Sequence, residues 1–109
     1  MAKEGTIIWK GKSGNEYRYD IYPINTQFNN VPANYVFMKK LENGNYTCIY
    51  FGITKDLSER FDNHHAMPCI KKNGATHVGI HQNSKETDRE KQESDLLASY
   101  NTVCNIQNN

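Results

Sequence analysis

The chain has 109 residues, 37% of them hydrophobic, which is enough for one small core and too short for a second independent one. Thirteen basic and twelve acidic residues give a formal charge of +1, so the composition excludes the strong overall positive charge of a non-specific nucleic-acid binder. The sequence has no long apolar run and no apolar N-terminal stretch, and we therefore expect neither a membrane span nor a signal peptide.

Three cysteines, Cys48, Cys69 and Cys104, are widely spaced and odd in number, and they form no paired metal-binding pattern. A reduced, intracellular protein fits this usage best, and we expect a cytoplasmic location. All three side chains are then interpreted as small, partly buried apolar residues.

The first thirty residues are interpreted as an N-terminal extension and linker. Strands are predicted over 6–10 and 16–22, because Tyr17, Tyr19 and Ile21 alternate with polar residues on either side of a turn-rich segment at 11–15. The pattern predicts a β-hairpin with one buried face, which either adds strands to a sheet edge or supplies a substrate or subunit contact.

A second hairpin is predicted from strands at 35–41 and 46–53, joined at Asn43-Gly44, a strong two-residue turn signal. That turn sets a register in which four pairs face each other: Tyr35 with Gly52, Phe37 with Tyr50, Lys39 with Cys48, and Leu41 with Tyr46. Tyr35 and Tyr50 then emerge on one face of the sheet, where Gly52 leaves room beside the Tyr35 ring. The opposite face is expected to carry Val36, Met38, Ile49 and Phe51.

Two capping-box patterns predict helices, one starting at Asp56 and running to about 65, the other starting at Thr87 and running to about 100. Met67-Pro68 is expected to close the first helix, and a strand is predicted over 76–82. The fold class is therefore α/β of the α+β type: a small central antiparallel sheet flanked by two or three helices, with the N-terminal hairpin added. The whole chain, 1–109, is predicted to be a single domain, with its core at 31–106 and a loose tail at 107–109.

Glu93 is placed by helical periodicity at the edge of an apolar stripe that contains Leu96, Leu97 and Tyr100. An unpaired carboxylate is costly there. A divalent cation is one natural partner, since Mg²⁺ is commonly held by one or two carboxylates together with phosphate oxygens and waters. A salt bridge to Arg89 or to another base at the edge of the core is the alternative.

Arg60 and His64 are four residues apart, so the predicted first helix would carry them one above the other. Two such groups are unfavourable neighbours unless an anion such as phosphate lies between them. The alternative is a solvated pair on a surface helix. His65 lies one step round the helix and is not assigned a role.

These residues, in this order and at these spacings, resemble the GIY-YIG nuclease family over 31–106. Tyr35, the segment Tyr50-Phe51-Gly52, and then Arg60, His64, Glu93 and Asn105 carry the resemblance. Ala33 replaces the glycine of the first family signature, and Asn34 stands where an aliphatic residue is usual.

The resemblance implies a metal-dependent endonuclease that hydrolyses DNA phosphodiesters with Mg²⁺ or Mn²⁺. It implies that Tyr35 is the general base, assisted by His64, that Arg60 binds the phosphate, and that Tyr50 positions phosphate or water. Glu93 would hold the metal, and Asn105 would brace the backbone of the site.

Lys39, Lys55, Lys71 and Lys72 are candidate nucleic-acid contacts, although exposed lysines are commonly just solvated. A catalytically inactive nucleic-acid-binding or protein-interaction domain is the alternative function. Single-stranded, double-stranded, branched and RNA substrates all stay open at this point, as does the oligomeric state.

Overall fold

Five antiparallel strands and two helices make up the part of the chain that the computed structural model describes, residues 3–59 and 64–105. In chain order the elements are β1 (Gly5–Lys10), β2 (Glu16–Pro23), β3 (Ala33–Lys40), β4 (Tyr46–Thr54), α1 (Met67–Lys72), β5 (His77–Gln82) and α2 (Glu86–Ser99). The strands lie in one sheet in the order β1-β2-β5-β3-β4. The predicted α+β class is thus confirmed. Neither described helix is long and apolar enough to cross a membrane.

The predicted N-terminal hairpin forms and extends the central sheet, because β2 pairs antiparallel with β5. Tyr19 and Ile21 are buried, as their alternation predicted. The turn between β1 and β2 is attached to α2 through Asp95, whose carboxylate accepts hydrogen bonds from the Ser13 amide and the Tyr17 hydroxyl, each at 2.8 Å. The extension is therefore joined both to the sheet and to the helix that covers it.

The central hairpin has the predicted register around the two tyrosines. Tyr35 lies opposite Gly52, and Phe37 lies opposite Tyr50. These two pairs confirm the predicted register at the point where it decides which side chains share a face.

Closer to the turn, the predicted pairing is wrong. The Leu41 amide donates to the Asn45 carbonyl at 2.7 Å, so the loop has three residues, 42–44, rather than two. Gly44 takes a φ of +89°, a left-handed conformation that favours glycine. Pairing near the turn is shifted by one residue, and Lys39 lies opposite Thr47 instead of Cys48.

A β-bulge in β4 restores the register before it reaches the tyrosines. Phe37 pairs with Tyr50 and Met38 pairs with Cys48, so Ile49 is the extra residue. Ile49 was predicted on the face opposite Tyr50, but it packs in the same core cluster as Tyr50. The loop and the bulge are two one-residue shifts that cancel.

The sheet separates two cores, here called the α1 face and the α2 face. On the α1 face, α1 contributes Met67 and Ile70 to a cluster that contains Tyr35, Phe37 and Tyr50. On the α2 face, Leu96 of α2 packs in a cluster with Trp9, Tyr19, Ile21, Val36, Met38 and Phe51. The alternation along β3 explains the separation, since successive side chains point to opposite faces.

The described parts of the predicted first helix, 56–59 and 64–65, are not helical. Asp56 accepts a hydrogen bond from the Ser58 amide at 2.8 Å, so its side chain forms a local turn instead of capping a helix. The prediction that Met67-Pro68 ends a helix is also wrong. Helix α1 begins there, with the proline in its first turn, where a missing amide hydrogen costs nothing.

Helix α2 is confirmed, although its buried face differs from the predicted stripe. Arg89, Gln92 and Leu96 are buried, whereas Leu97 is 36% exposed. The Gln92 amide donates to the Tyr19 hydroxyl at 2.9 Å, and satisfied polar groups of this kind are missed by counting apolar residues. The helix also begins without a side-chain cap, so the predicted capping box at Thr87 does not form.

Cys69 and Cys104 form a disulfide, with Cα atoms 5.7 Å apart, while Cys48 is a free thiol. The expectation that all three cysteines are unpaired is therefore wrong. The two partners are 35 residues apart in sequence. They meet because α1 and the C-terminal segment pack in one cluster and the Cys104 amide donates to the Ile49 carbonyl at 3.2 Å.

Candidate active site

Two tyrosines from neighbouring strands stack on the α1 face. The rings of Tyr35 and Tyr50 have centroids 6.2 Å apart and planes inclined by 25°. Both are buried, Tyr35 with 4% and Tyr50 with 9% of its surface exposed. The prediction that they share one face of the sheet is confirmed.

Gly52 determines where the Tyr35 side chain lies. A Cβ atom placed on Gly52 would overlap the ring and the hydroxyl of Tyr35, so the tyrosine crosses the space that any other residue would fill. The glycine is required here for room, since its φ is not in the left-handed region.

His64 brings the third ring to the cluster from the segment that precedes α1. Its Nε2 atom lies 2.6 Å from the Tyr35 hydroxyl oxygen. Its ring meets Tyr50 edge to face with centroids 5.0 Å apart. His64 does not lie in a helix. The prediction that one helix carries Arg60 and His64 one above the other therefore does not hold for His64.

Burial governs the protonation of these groups. Burial raises the pKa of Tyr35 far above its usual range, and repulsion from Tyr50 in its ionised form and from the Glu93 carboxylate raises it further. Burial, with the charge of Glu93, also raises the pKa of Tyr50. For His64, burial and then repulsion from His65 lower the pKa to about 4. At neutral pH the cluster therefore holds two phenols and an uncharged imidazole.

Glu93 lies in α2, and its negative charge acts on Tyr35 and Tyr50 of this cluster. Its side chain is half-buried, and burial raises its pKa, with a smaller contribution from Glu90. Within the described ranges it has neither a hydrogen bond nor an ion pair. The alternative partner, Arg89, instead donates from Nη1 to the Asn83 carbonyl at 3.0 Å.

A divalent cation fits this carboxylate chemically, since it is partly withdrawn from water and has no counter-ion among the described residues. In that same part of the chain, no three histidine, cysteine, aspartate or glutamate side chains are placed so that together they could hold a metal ion. If Glu93 holds such an ion, substrate phosphate and water would be further ligands.

Asn105 supports the backbone of β4 between Tyr50 and Gly52. Its Nδ2 donates to the Phe51 carbonyl and its Oδ1 accepts from the Phe51 amide, both at 2.9 Å. The Thr102 hydroxyl donates to the same Oδ1 at 2.6 Å. Since β4 is the last strand of the sheet, Asn105 supplies the hydrogen bonds that another strand would make.

Arg60 lies outside the described residues. The four candidate lysines are exposed, with Lys55 just after β4 and Lys71 and Lys72 in the last turn of α1. Lys39, at the end of β3, extends over the turn that follows α1. A Cβ atom built on Gly74, in that turn, would lie 3.7 Å from the Lys39 Nζ.

The chain was compared with protein-family models, curated proteins and solved structures. None of the three comparisons gives a match.

Two contributors to the cluster were not predicted from the sequence. The His65 ring stacks on His64 with centroids 4.6 Å apart, and it also meets the edge of Tyr50. The Ala66 amide donates to His64 Nδ1 at 3.0 Å. The adjacent histidines were visible in the sequence, but a backbone donor leaves no signal in residue types.

Proposed function

We propose that this protein is a divalent-metal-dependent endonuclease that hydrolyses DNA phosphodiesters at the Tyr35–Tyr50–His64 cluster. The single observation that carries the proposal is the contact of the Tyr35 hydroxyl with His64 inside a stacked tyrosine pair. These residues lie far apart in the sequence. Their convergence, with Glu93 acting on both tyrosines, agrees with the GIY-YIG-like assignment.

In this proposal Tyr35 takes a proton from the attacking water while Arg60 neutralises the phosphate. Tyr50 orients the phosphate or the water beside the Tyr35 hydroxyl. Glu93 would hold Mg²⁺ or Mn²⁺, which when bound supplies positive charge to stabilise the leaving oxygen. The raised pKa of Tyr35 is the main obstacle to its role as a base. A cationic group brought close to the Tyr35 hydroxyl would lower that pKa.

The distribution of charge favours a polyanion on the α1 face. Helix α1 contains no acidic residue and ends in Lys71 and Lys72. Helix α2, which packs on the opposite face, carries four carboxylates besides the proposed metal ligand Glu93, at Glu86, Asp88, Glu90 and Asp95. The two helices therefore differ in charge, since Arg89 and Lys91 offset only part of the acidic charge of α2. DNA would approach the face that lacks acidic side chains on its helix.

A catalytically inactive nucleic-acid-binding domain is the second candidate. The observation that favours it is the low exposure of Tyr35, since a base must reach the attacking water and only 4% of this side chain is accessible.

The deciding experiment measures cleavage of labelled single strands, duplexes, flaps and an RNA strand with Mg²⁺, with Mn²⁺ and with a chelator. Arg60→Ala should reduce cleavage by roughly 10²–10³-fold, as expected for loss of a positioned charge. Arg18→Ala is the matched control, because Arg18 is exposed on β2, outside the cluster. Binding without metal-dependent cleavage would support the inactive domain, and absence of both would exclude both candidates.

A further inference from the structure

Both ring nitrogens of His64 have identified partners, and together they determine where its proton lies. Nδ1 is 3.0 Å from the Ala66 backbone nitrogen, and Nε2 is 2.6 Å from the Tyr35 oxygen. A backbone amide can only donate, so Nδ1 must be the acceptor. A neutral imidazole with an accepting Nδ1 carries its hydrogen on Nε2.

We propose that His64 donates its Nε2 hydrogen to the Tyr35 oxygen and acts as a positioning residue, rather than as the acceptor of the Tyr35 proton. The Ala66 amide holds this tautomer. The role in cleavage rests on the proposed function, whereas the tautomer itself does not.

The ring orientation is constrained from several sides. Rotating the imidazole by half a turn would put carbon atoms where both nitrogens now lie, so both hydrogen bonds would be lost. The Tyr50 ring meets the His64 ring edge to face with centroids 5.0 Å apart, and the His65 ring stacks on it with centroids 4.6 Å apart. Both contacts favour the observed orientation. Protonation of Nδ1 would set two hydrogens against each other at the Ala66 amide. The low pKa of His64, about 4, agrees with a ring that stays neutral.

This assignment changes the path of the protons during hydrolysis. In this arrangement His64 does not take the Tyr35 proton, which passes to a solvent water, and the resulting phenolate then takes one proton from the attacking water. The His64 N–H bond stays intact throughout, and it stabilises the phenolate by a hydrogen bond to a charged oxygen. After the attack Tyr35 is a phenol again, and solvent protonates the leaving oxygen.

The tautomer can be measured without any cleavage assay. Histidine labelled with ¹⁵N gives distinct chemical shifts for protonated and unprotonated ring nitrogens, and the signals of His64 are those that disappear in His64→Gln. We expect a protonated Nε2 and an unprotonated Nδ1 at neutral pH. A protonated Nδ1, in either the other tautomer or the imidazolium, would overturn the proposal.

Two amide variants test the catalytic consequence. His64→Gln can place a side-chain NH₂ near the position of Nε2, whereas His64→Asn places its amide near Nδ1 and does not reach Tyr35. With labelled duplex and Mn²⁺, His64→Gln should cleave roughly 10–100-fold faster than His64→Asn, the value of a hydrogen bond to a charged oxygen.

Equal loss in both variants would mean that His64 accepts a proton, because neither amide can do so. Thermal melts of both variants control for folding. If the parent protein cleaves no substrate, the proposed function fails, and the ¹⁵N measurement still decides the tautomer.

Discussion

Tyr35 lies across the backbone of Gly52, directly opposite it in the sheet, and occupies the volume that a side chain at 52 would need. The position of the Tyr35 hydroxyl, and with it the contact to His64, therefore depends on the absence of one Cβ atom in the neighbouring strand.

Gly52→Ala should displace the Tyr35 ring and reduce cleavage by about 10²-fold, the usual effect of misplacing a reacting group by roughly 1 Å. Gly79→Ala is the matched control. Its Cβ would press on Val36 and Tyr19 on the α2 face, so it should lower the melting temperature without moving Tyr35. Cleavage corrected for the folded fraction would separate the two variants, and equal activity in both would contradict the role of Gly52.

Asn105→Ala should destabilise the fold by about 1–3 kcal/mol, because the amide and the carbonyl of Phe51 lose their partners. Asn101→Ala is the control, since Asn101 is exposed nearby in the same segment. Urea denaturation of both variants gives the comparison. A loss of similar size at both positions would show that the hydrogen bonds to β4 are not the cause.

Glu93→Gln should raise thermal stability at pH 7 in the absence of divalent metal. A carboxyl whose pKa is raised on folding stabilises most below its unfolded value, near 4.5, and that contribution is lost as the pH rises through the folded pKa. The variant and the parent should therefore melt alike near pH 4 and diverge toward pH 7. A variant that is less stable than the parent at pH 7 would indicate a salt bridge instead.

Stabilisation of the fold by Mg²⁺ is a second test of the role of Glu93. If Glu93 holds the cation, the parent gains about 2.7 kcal/mol of stability at a concentration a hundredfold above Kd, and Glu93→Gln gains much less. Equal stabilisation of both proteins would place the cation elsewhere.

Reduction of the Cys69–Cys104 disulfide should destabilise the protein by about 3–4 kcal/mol, the loop-entropy value for partners 35 residues apart. Thiol labelling in denaturant without reductant should detect one cysteine, Cys48. The matched variants are Cys104→Ser, which should melt like the reduced parent, and Cys48→Ser, which should keep its sensitivity to reductant. A melting temperature unaffected by reductant would contradict the bridge.

The local sequence pattern alone was sufficient to predict β1, β2, β5 and α2. Their alternation or helical rhythm lies within a few consecutive residues, and the structure has these elements close to the predicted bounds. The prediction also placed Tyr35 and Tyr50 on the same face of the sheet, but only because two features that it missed cancel each other. These are the three-residue loop closed by Asn45 and the bulge at Ile49. Neither feature has a clear signal in residue types.

Tertiary structure decided the rest of the site. The Asp56 side chain accepts a hydrogen bond in a local turn, and Pro68 lies at the start of a helix rather than after its end. For these two reasons the helix predicted before Met67 was wrong in its described parts. The amino-acid sequence by itself determined which chemical groups are present and which local segments form β1, β2, β5 and α2. Their contacts — Tyr35 with His64, Asn105 with Phe51 and Cys69 with Cys104 — join residues 29 to 54 positions apart. Such contacts depend on how the two layers pack on the sheet, and no local pattern encodes that packing.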